Sequence, residues 1–95
     1  MAKTITYTDS PSERTVKPTQ TKFTNNTDKD ITLEFKDGGS QVVGSGKTSD
    51  EISKTIASIR YNATFYYSGD PDYTIPGGKT VTLAWQKPNI LMNIP

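Results

Sequence analysis

Residues 31–43 read ITLEFKDGGSQVV, and this stretch decides the fold class. Apolar residues alternate with polar ones over 31–35, which is typical of a strand with one buried face and one solvent-exposed face. An Asp-Gly pair follows at 37–38 and suits the positive φ values of a tight hairpin turn. Residues 40–43 supply the returning strand. The stretch therefore predicts a β-hairpin.

Similar alternation flanks this hairpin on both sides. The longest alternating segment of the chain covers residues 59–67, and we predict that it forms one central strand. Turn residues, mainly Gly, Pro, Asp and Asn, separate the segments. The predicted strands are 3–8, 22–25, 30–36, 40–43, 59–67, 73–75 and 79–86.

About seven short strands at this spacing predict an all-β protein. We expect a small Ig-like antiparallel β-sandwich, and a small β-barrel is the alternative. The turn motifs are common to many small β-sandwich modules, so they identify no single family. Fold alone does not assign a function to a β-sandwich.

One segment also carries a helical pattern. Residues 48–51 have the spacing of a helix capping box, and Ile52, Ile56 and Ile59 recur at helical intervals. One short helix near residues 50–57 is therefore one of two interpretations of this segment. The alternative is a loop that enters a strand, because the Ser and Thr residues of this segment are indifferent helix formers and short isolated helices are marginal.

The chain divides by composition into three parts. Residues 1–21 form an N-terminal arm with a short strand and a Pro-containing linker, 22–87 the sandwich core, and 88–95 an apolar tail or edge strand. A chain of 95 residues has room for one small domain.

Composition excludes several classes of function. The chain has no cysteine and no histidine, so it lacks a thiol nucleophile, a disulfide framework and the commonest general base and metal ligand. We therefore expect no enzymatic activity and no cofactor. Eleven basic residues balance ten acidic ones, which argues against nucleic acid as a partner.

No apolar run in the sequence resembles a signal peptide or a transmembrane segment. The longest apolar stretch is only Ile90-Leu91-Met92. We expect a soluble protein, either cytoplasmic or part of an assembled particle, and the sequence does not name the compartment.

Two carboxylates flank Pro71 and form the best candidate for a metal site. Asp70 and Asp72 could bind a hard cation such as calcium if loop carbonyls completed the shell. Turn chemistry explains the same residues, because Asp accepts hydrogen bonds from its own turn and Pro presets φ. No further acidic residue of a calcium loop is present.

Both terminal segments are candidates for binding a partner. The tail carries Ile90, Met92 and Ile94, and the arm carries Ile5 and Tyr7. Each segment can pair as a strand with its own sheet or with another chain, because an apolar strand left in water invites aggregation. The sequence leaves both alternatives open.

Three aromatic residues are candidates for a ligand platform. Tyr66, Tyr73 and Trp85 could stack on sugar rings or lie at a membrane surface. The alternative is that the aromatic residues fill the core, since the chain has few aliphatic residues.

Two functional hypotheses follow. The first is a non-catalytic structural or protein-interaction module that acts by strand or edge pairing, as a homo-oligomer or in a larger assembly. The second is a small carbohydrate- or lipid-binding module that uses the aromatic residues.

Overall fold

The predicted hairpin is the best-defined local feature of the fold. Strands β4 (Ile31–Phe35) and β5 (Ser40–Val43) pair antiparallel. The Phe35 amide donates to the Gly39 carbonyl at 2.8 Å and the Gly38 amide to the Phe35 carbonyl at 3.1 Å. Gly38 has a φ of 99°, as the last position of a three-residue hairpin connection requires. The hairpin prediction is confirmed.

The computed structural model describes residues 2–7, 16–61, 64–68, 73–86 and 89–95, and for 2–7, 64–68, 73, 86 and 89 it describes the backbone alone. Ten strands and no helix are found among these residues. The other strands are β1 (Ala2–Tyr7), β2 (Val16–Lys17), β3 (Lys22–Asn26), β6 (Ile56–Tyr61), β7 (Thr64–Ser68), β8 (Tyr73–Thr74), β9 (Thr80–Gln86) and β10 (Asn89–Asn93).

The strands form two layers that share β1. Its first half pairs with β10, from Ala2 opposite Asn93 to Ile5 opposite Ile90, and its second half pairs with β7. One layer continues from β10 through β9 to β3, and the other from β7 through β6 and β4 to β5. A strand that passes between layers is a recognised device of β-sandwiches. The all-β class is confirmed and the arrangement is consistent with a small β-sandwich, whereas an Ig-like topology stays a prediction.

Most strand pairs are antiparallel, as predicted, but two are parallel. β3 pairs parallel with β9 over five residues, and β2 pairs parallel with β8. Parallel neighbours cannot be joined by a tight turn, so hairpin signals in the sequence give no indication of them. On its other side β3 contacts the segment that follows β5, through isolated bridges from Thr24 to Thr48 and from Thr21 to Ile52.

No helix forms near residues 50–57, and the alternative, a loop that enters a strand, is the one found. The segment is extended, and Ile52 exchanges two backbone hydrogen bonds with Thr21, of 2.8 and 3.0 Å. Strand β6 already begins at Ile56. Ser49, placed in the expected capping box, instead accepts a hydrogen bond from the Phe23 amide at 2.9 Å. Pairing with β3 therefore prevails over a weak helical propensity.

The single long strand predicted over 59–67 is also wrong. β6 and β7 are separate strands that pair antiparallel, with Ile59 opposite Tyr66 and Tyr61 opposite Thr64. The sequence between them is Asn62-Ala63, and Asn is favoured in two-residue hairpin connections. Residues directly opposite each other share a face of the sheet, so Tyr61 and Thr64 share a face. Alternation counted without a break from 59 to 67 would place them on opposite faces.

Both layers contribute to one apolar core. Buried residues of β4 and β6 meet buried residues of β3, β9 and β10, and Phe35 and Tyr61 pack at its margin. The core consists of Val16, Phe23, Ile31, Leu33, Val43, Ile52, Ile56, Ile59, Ile75, Val81, Leu83, Ile90, Met92 and Ile94.

Candidate functional site

The three tail residues predicted to bind a partner lie in the protein's own core. Ile90 and Met92 are 0% exposed and Ile94 is 4% exposed. Their strand, β10, lies between β9 and β1 and has no open edge along the paired residues. The own-sheet alternative is therefore the one found in this fold.

The two arm residues belong to β1. The backbone of Ile5 pairs with Ile90 and Ser68, and that of Tyr7 with Tyr66. Their side chains lie outside the described part of the chain. β1 thus has a strand neighbour on each side, first β10 and then β7.

The carboxylate pair proposed as a weak metal site, Asp70 and Asp72, lies outside the described residues. Among the residues that are described, no cluster of three acidic side chains is arranged to hold a metal ion. Of the described acidic residues, Asp37 takes part in a turn and an ion pair, Glu34 in an ion pair and Asp28 in a hydrogen bond with Tyr61.

Of the three platform residues, only Trp85 has a described side chain. The backbone of Tyr66 lies opposite Ile59, and that of Tyr73 lies opposite Val16. The Trp85 ring is 36% exposed and stacks on the Tyr61 ring, with centroids 4.6 Å apart and an interplanar angle of 9°. The side chains of Tyr66 and Tyr73 lie outside the described part of the chain, so the three-residue platform stays a prediction.

The Tyr61–Trp85 pair covers one end of the core. Trp85 lies opposite the buried Ile90 in the β9–β10 ladder, so it extends from the core-facing side of its layer. The Tyr61 hydroxyl donates a hydrogen bond to the Asp28 carboxylate. This hydrogen bond is the main reason why the pKa of Asp28 lies below its ordinary value, because the bond stabilises the charged carboxylate.

The sequence analysis missed the edge of β5, which is the strongest site candidate. Within the described part of the chain, β5 has one strand partner, β4. Hydrogen-bonded and non-bonded pairs alternate along an antiparallel ladder. The Phe35 amide donates to the Gly39 carbonyl at the hairpin end, which sets the hydrogen-bonded register there, so the pairs Glu34–Ser40 and Thr32–Val42 are non-bonded.

The backbone N–H and C=O groups of Ser40 and Val42 consequently point away from β4. The Val42 side chain is 57% exposed, which is the larger of the two exposures among the exposed large apolar residues described. β5 contains no charged residue and no proline, and these are the residues that usually protect an edge strand from pairing. As far as the described residues go, the edge is therefore open, and β5 itself carries none of these protecting residues.

A shallow groove of about 490 Å³ lies beside this edge. Its floor is Thr32, with Val42 on the neighbouring strand to one side and Arg60 to the other. Arg60 also forms an ion pair with Glu34 at 3.4 Å. Asp28, Lys29 and Asp30 complete the lining, so the groove carries charges of both signs and Val42 is its apolar residue.

A buried asparagine holds the far end of β5 in place. The Asn25 side-chain amide donates to the carbonyls of Val43 and Lys29, both at 2.8 Å. Its Oδ1 atom accepts from the amide and hydroxyl of Thr27. Asn25 is 0% exposed and all of its hydrogen-bonding capacity is used, so it is a structural residue that fixes the edge.

The hairpin end of β5 is fixed by the turn. Oδ1 of Asp37 accepts from the Gly39 amide at 2.9 Å, and the carboxylate pairs with Lys54 at 3.4 Å. The hydrogen bond from the Gly39 amide is the main reason why the pKa of Asp37 lies below its ordinary value. The Lys54 ammonium lies 5.5 Å from the centre of the Phe35 ring. Both ends of β5 are thus held, while no described strand other than β4 pairs with it.

Comparison of the chain with family models, with curated proteins and with solved structures finds no match. Among the described residues, no helix has the length and apolarity needed to cross a membrane. The function must therefore be argued from the geometry of the site itself.

Proposed function

We propose that the protein is a non-catalytic interaction module that binds an extended strand of another polypeptide at the edge of β5. The observation that carries this proposal is the pair of outward-facing backbone positions at Ser40 and Val42, beside an exposed apolar side chain. Strand addition at such an edge gains affinity from main-chain hydrogen bonds and specificity from the side chains beside it.

The surroundings of the edge support the proposal. The strand is held at both ends, by Asn25 at Val43 and by Asp37 at Gly39, so little ordering is needed when a partner binds. Val42 offers apolar contact, and charges of both signs line the groove on the β4 side of this residue. An added strand therefore meets a preformed backbone template.

The site has no chemistry that favours catalysis over binding. The groove contains carboxylates and ammonium or guanidinium groups, and Arg60 is paired with Glu34. The sequence has neither histidine nor cysteine to act as a base or nucleophile near neutral pH. Binding through shape and backbone hydrogen bonds is the activity that these residues support.

A peptide library selected on the immobilised full chain tests the proposal. The affinity of each binder is measured for Val42→Lys and for Val42→Pro. The lysine blocks the edge by its charge, and the proline blocks it because the outward N–H is lost. Val42→Thr is the matched control, because it keeps that N–H and the β-branched shape. We expect binders to lose at least about tenfold in affinity for the first two variants and little for the third.

Proline is tolerated at this position because the Val42 N–H makes no bond to β4. The folding of each variant is checked by urea denaturation. Library binders that bind Val42→Pro as tightly as the original chain, or failure to select any binder together with a strictly monomeric chain, would contradict the proposal.

The second candidate, a carbohydrate- or lipid-binding module, is favoured by the partial exposure of Trp85. One face of its ring is occupied by Tyr61, so a ligand would bind to the remaining exposed part. Glycan-array and liposome binding of the full chain and of Trp85→Ala test this candidate. Binding that survives the substitution, or no binding by either protein, would rule out a role for Trp85.

A further inference from the structure

We infer that the partner of the β5 edge is a second copy of this chain, paired antiparallel through β5 of each copy. The inference rests on the proposed function and names its partner. Ser40 of one copy lies opposite Val42 of the other, and Gln41 lies opposite its own counterpart. A two-fold axis then passes between the two Gln41 residues.

The hydrogen-bonding pattern of β5 is self-complementary in this register. The backbone N–H and C=O groups of Ser40 and Val42 point away from β4, and those of Gln41 between them point toward β4. When Ser40 meets Val42 of the other copy, each exchanges two N–H to C=O bonds, as a bonded antiparallel pair does. The two-fold axis repeats the pair, so every outward backbone group of these two residues is satisfied.

Charge also permits two identical edges to meet. β5 carries no charged residue, so pairing with a copy places no like charges directly opposite each other. On the next strand Glu34 is already paired with Arg60. Val42, at 57% exposure, lies opposite Ser40 of the other copy, so part of its apolar surface is covered.

The contact is small and closes on itself. A strand of four residues buries less surface than the roughly 1,200 Å² of a standard stable interface, so we expect weak, concentration-dependent association. The interface is isologous, because both copies use the same residues, and it therefore stops at a dimer.

Single cysteines provide a direct test, since the chain contains none of its own. In the proposed register the Gln41 Cα atoms of the two copies are about 4.5 Å apart, as in a non-bonded pair, which a disulfide can bridge. Equivalent Ser40 or Val42 positions are diagonal, at about 7–8 Å, which is beyond easy reach of a disulfide. Gln41→Cys is therefore the probe, and Ser40→Cys and Val42→Cys are its controls.

The full-length variants are oxidised over a range of concentrations, and covalent dimer is measured on non-reducing gels. We expect Gln41→Cys to form dimer at least about tenfold faster than either control. Adding Val42→Lys to Gln41→Cys should slow this reaction by a similar factor. Sedimentation of the cysteine-free chain should show a weak monomer–dimer equilibrium that Val42→Lys abolishes.

Other outcomes overturn the inference. Faster cross-linking of Val42→Cys than of Gln41→Cys would mean that the strands pair in a shifted register. Equal rates for all three variants would mean that β5 does not pair with itself. If library peptides still bind the edge and are blocked by Val42→Lys, the proposed function stands and only the identity of the partner is wrong. Failure of both tests would remove the proposed function as well.

Discussion

Strands β10 and β5 differ in how many strand neighbours they have: β10 has two, and β5 has one among the described strands. β10 is the more apolar of the two and is a natural candidate for a docking strand, yet it lies between β9 and β1 with Ile90 and Met92 fully buried. β5 is short and half polar, and no other described strand pairs with its outer side. The comparison shows that apolar character predicts burial, whereas the position of a strand in the sheet decides whether it can bind a partner.

Ile90 and Val42 provide the strongest test of this comparison. Ile90→Ala leaves a cavity in the core and should lower the free energy of unfolding by about 2–5 kcal/mol. Val42→Ala removes atoms that are already largely in water and should cost at most about 1 kcal/mol. Urea denaturation of both variants measures the difference. Equal losses would mean that β10 and β5 do not differ in burial as described.

Asn25 tests how firmly the open edge is attached to the core. Asn25→Ala leaves the Val43 and Lys29 carbonyls without this buried donor and should cost about 2–3 kcal/mol of unfolding free energy. Asn26→Ala, at the exposed neighbouring position, is the control and should cost less than about 0.5 kcal/mol. Thermal or urea unfolding distinguishes the two, and a mild effect of Asn25→Ala would argue against the edge being pinned.

Gly38 tests the other end of β5. Gly38→Ala places a side chain at a φ of 99° and should cost about 1–2 kcal/mol through backbone strain alone, since no atom lies within 4 Å of the added Cβ. Gly39→Ala has no positive φ and should cost less than about 0.5 kcal/mol. The same unfolding experiment compares them, and the reverse order would contradict the described turn.

The smallest expected effect concerns Asp28, which lies between the groove and the aromatic pair. Its folded-state pKa is lowered, mainly by the Tyr61 hydroxyl. The resulting contribution to stability is therefore present above the unfolded pKa of about 3.9 and is lost as pH falls through the lower folded value. Tyr61→Phe should raise the pKa of Asp28 back toward its ordinary range.

A carboxyl NMR titration of Asp28 measures this change. Asp37 is the internal control, because its pKa is lowered mainly by the Gly39 amide and should not respond to Tyr61→Phe. An unchanged Asp28 titration, or an equal shift at both carboxyls, would contradict the assigned hydrogen bond.

Local patterns in the sequence predict the local structure well. Alternation and the Asp-Gly pair place the β4–β5 hairpin, and the same signals place β9 and most of β3. The helix near 50–57 fails because the pairing of Ile52 with Thr21 depends on residues far away in the sequence. The break between β6 and β7 was missed because alternation passes through Asn62-Ala63 without interruption.

The site was harder to predict than the fold for the same reason. Whether a strand lies at an edge depends on which strands pair, and the parallel β3–β9 pair and the shared strand β1 leave no signature in local patterns. Apolarity pointed to 90–94, which the fold uses for its own core. Ser40 and Val42 become candidates only when the ladder shows that their backbone groups face outward.

The position of β1 constrains how the polypeptide reaches its native state during translation. Ala2 pairs with Asn93 and Ile5 with Ile90, so a segment synthesised early must wait for residues that emerge from the ribosome late. Contacts between such distant residues slow folding, because a long loop must close before they form. Until then the part of β1 that pairs with β10 lacks its neighbour, and the nascent chain passes through a stage at which a chaperone, or a neighbouring nascent copy, meets an incomplete sheet.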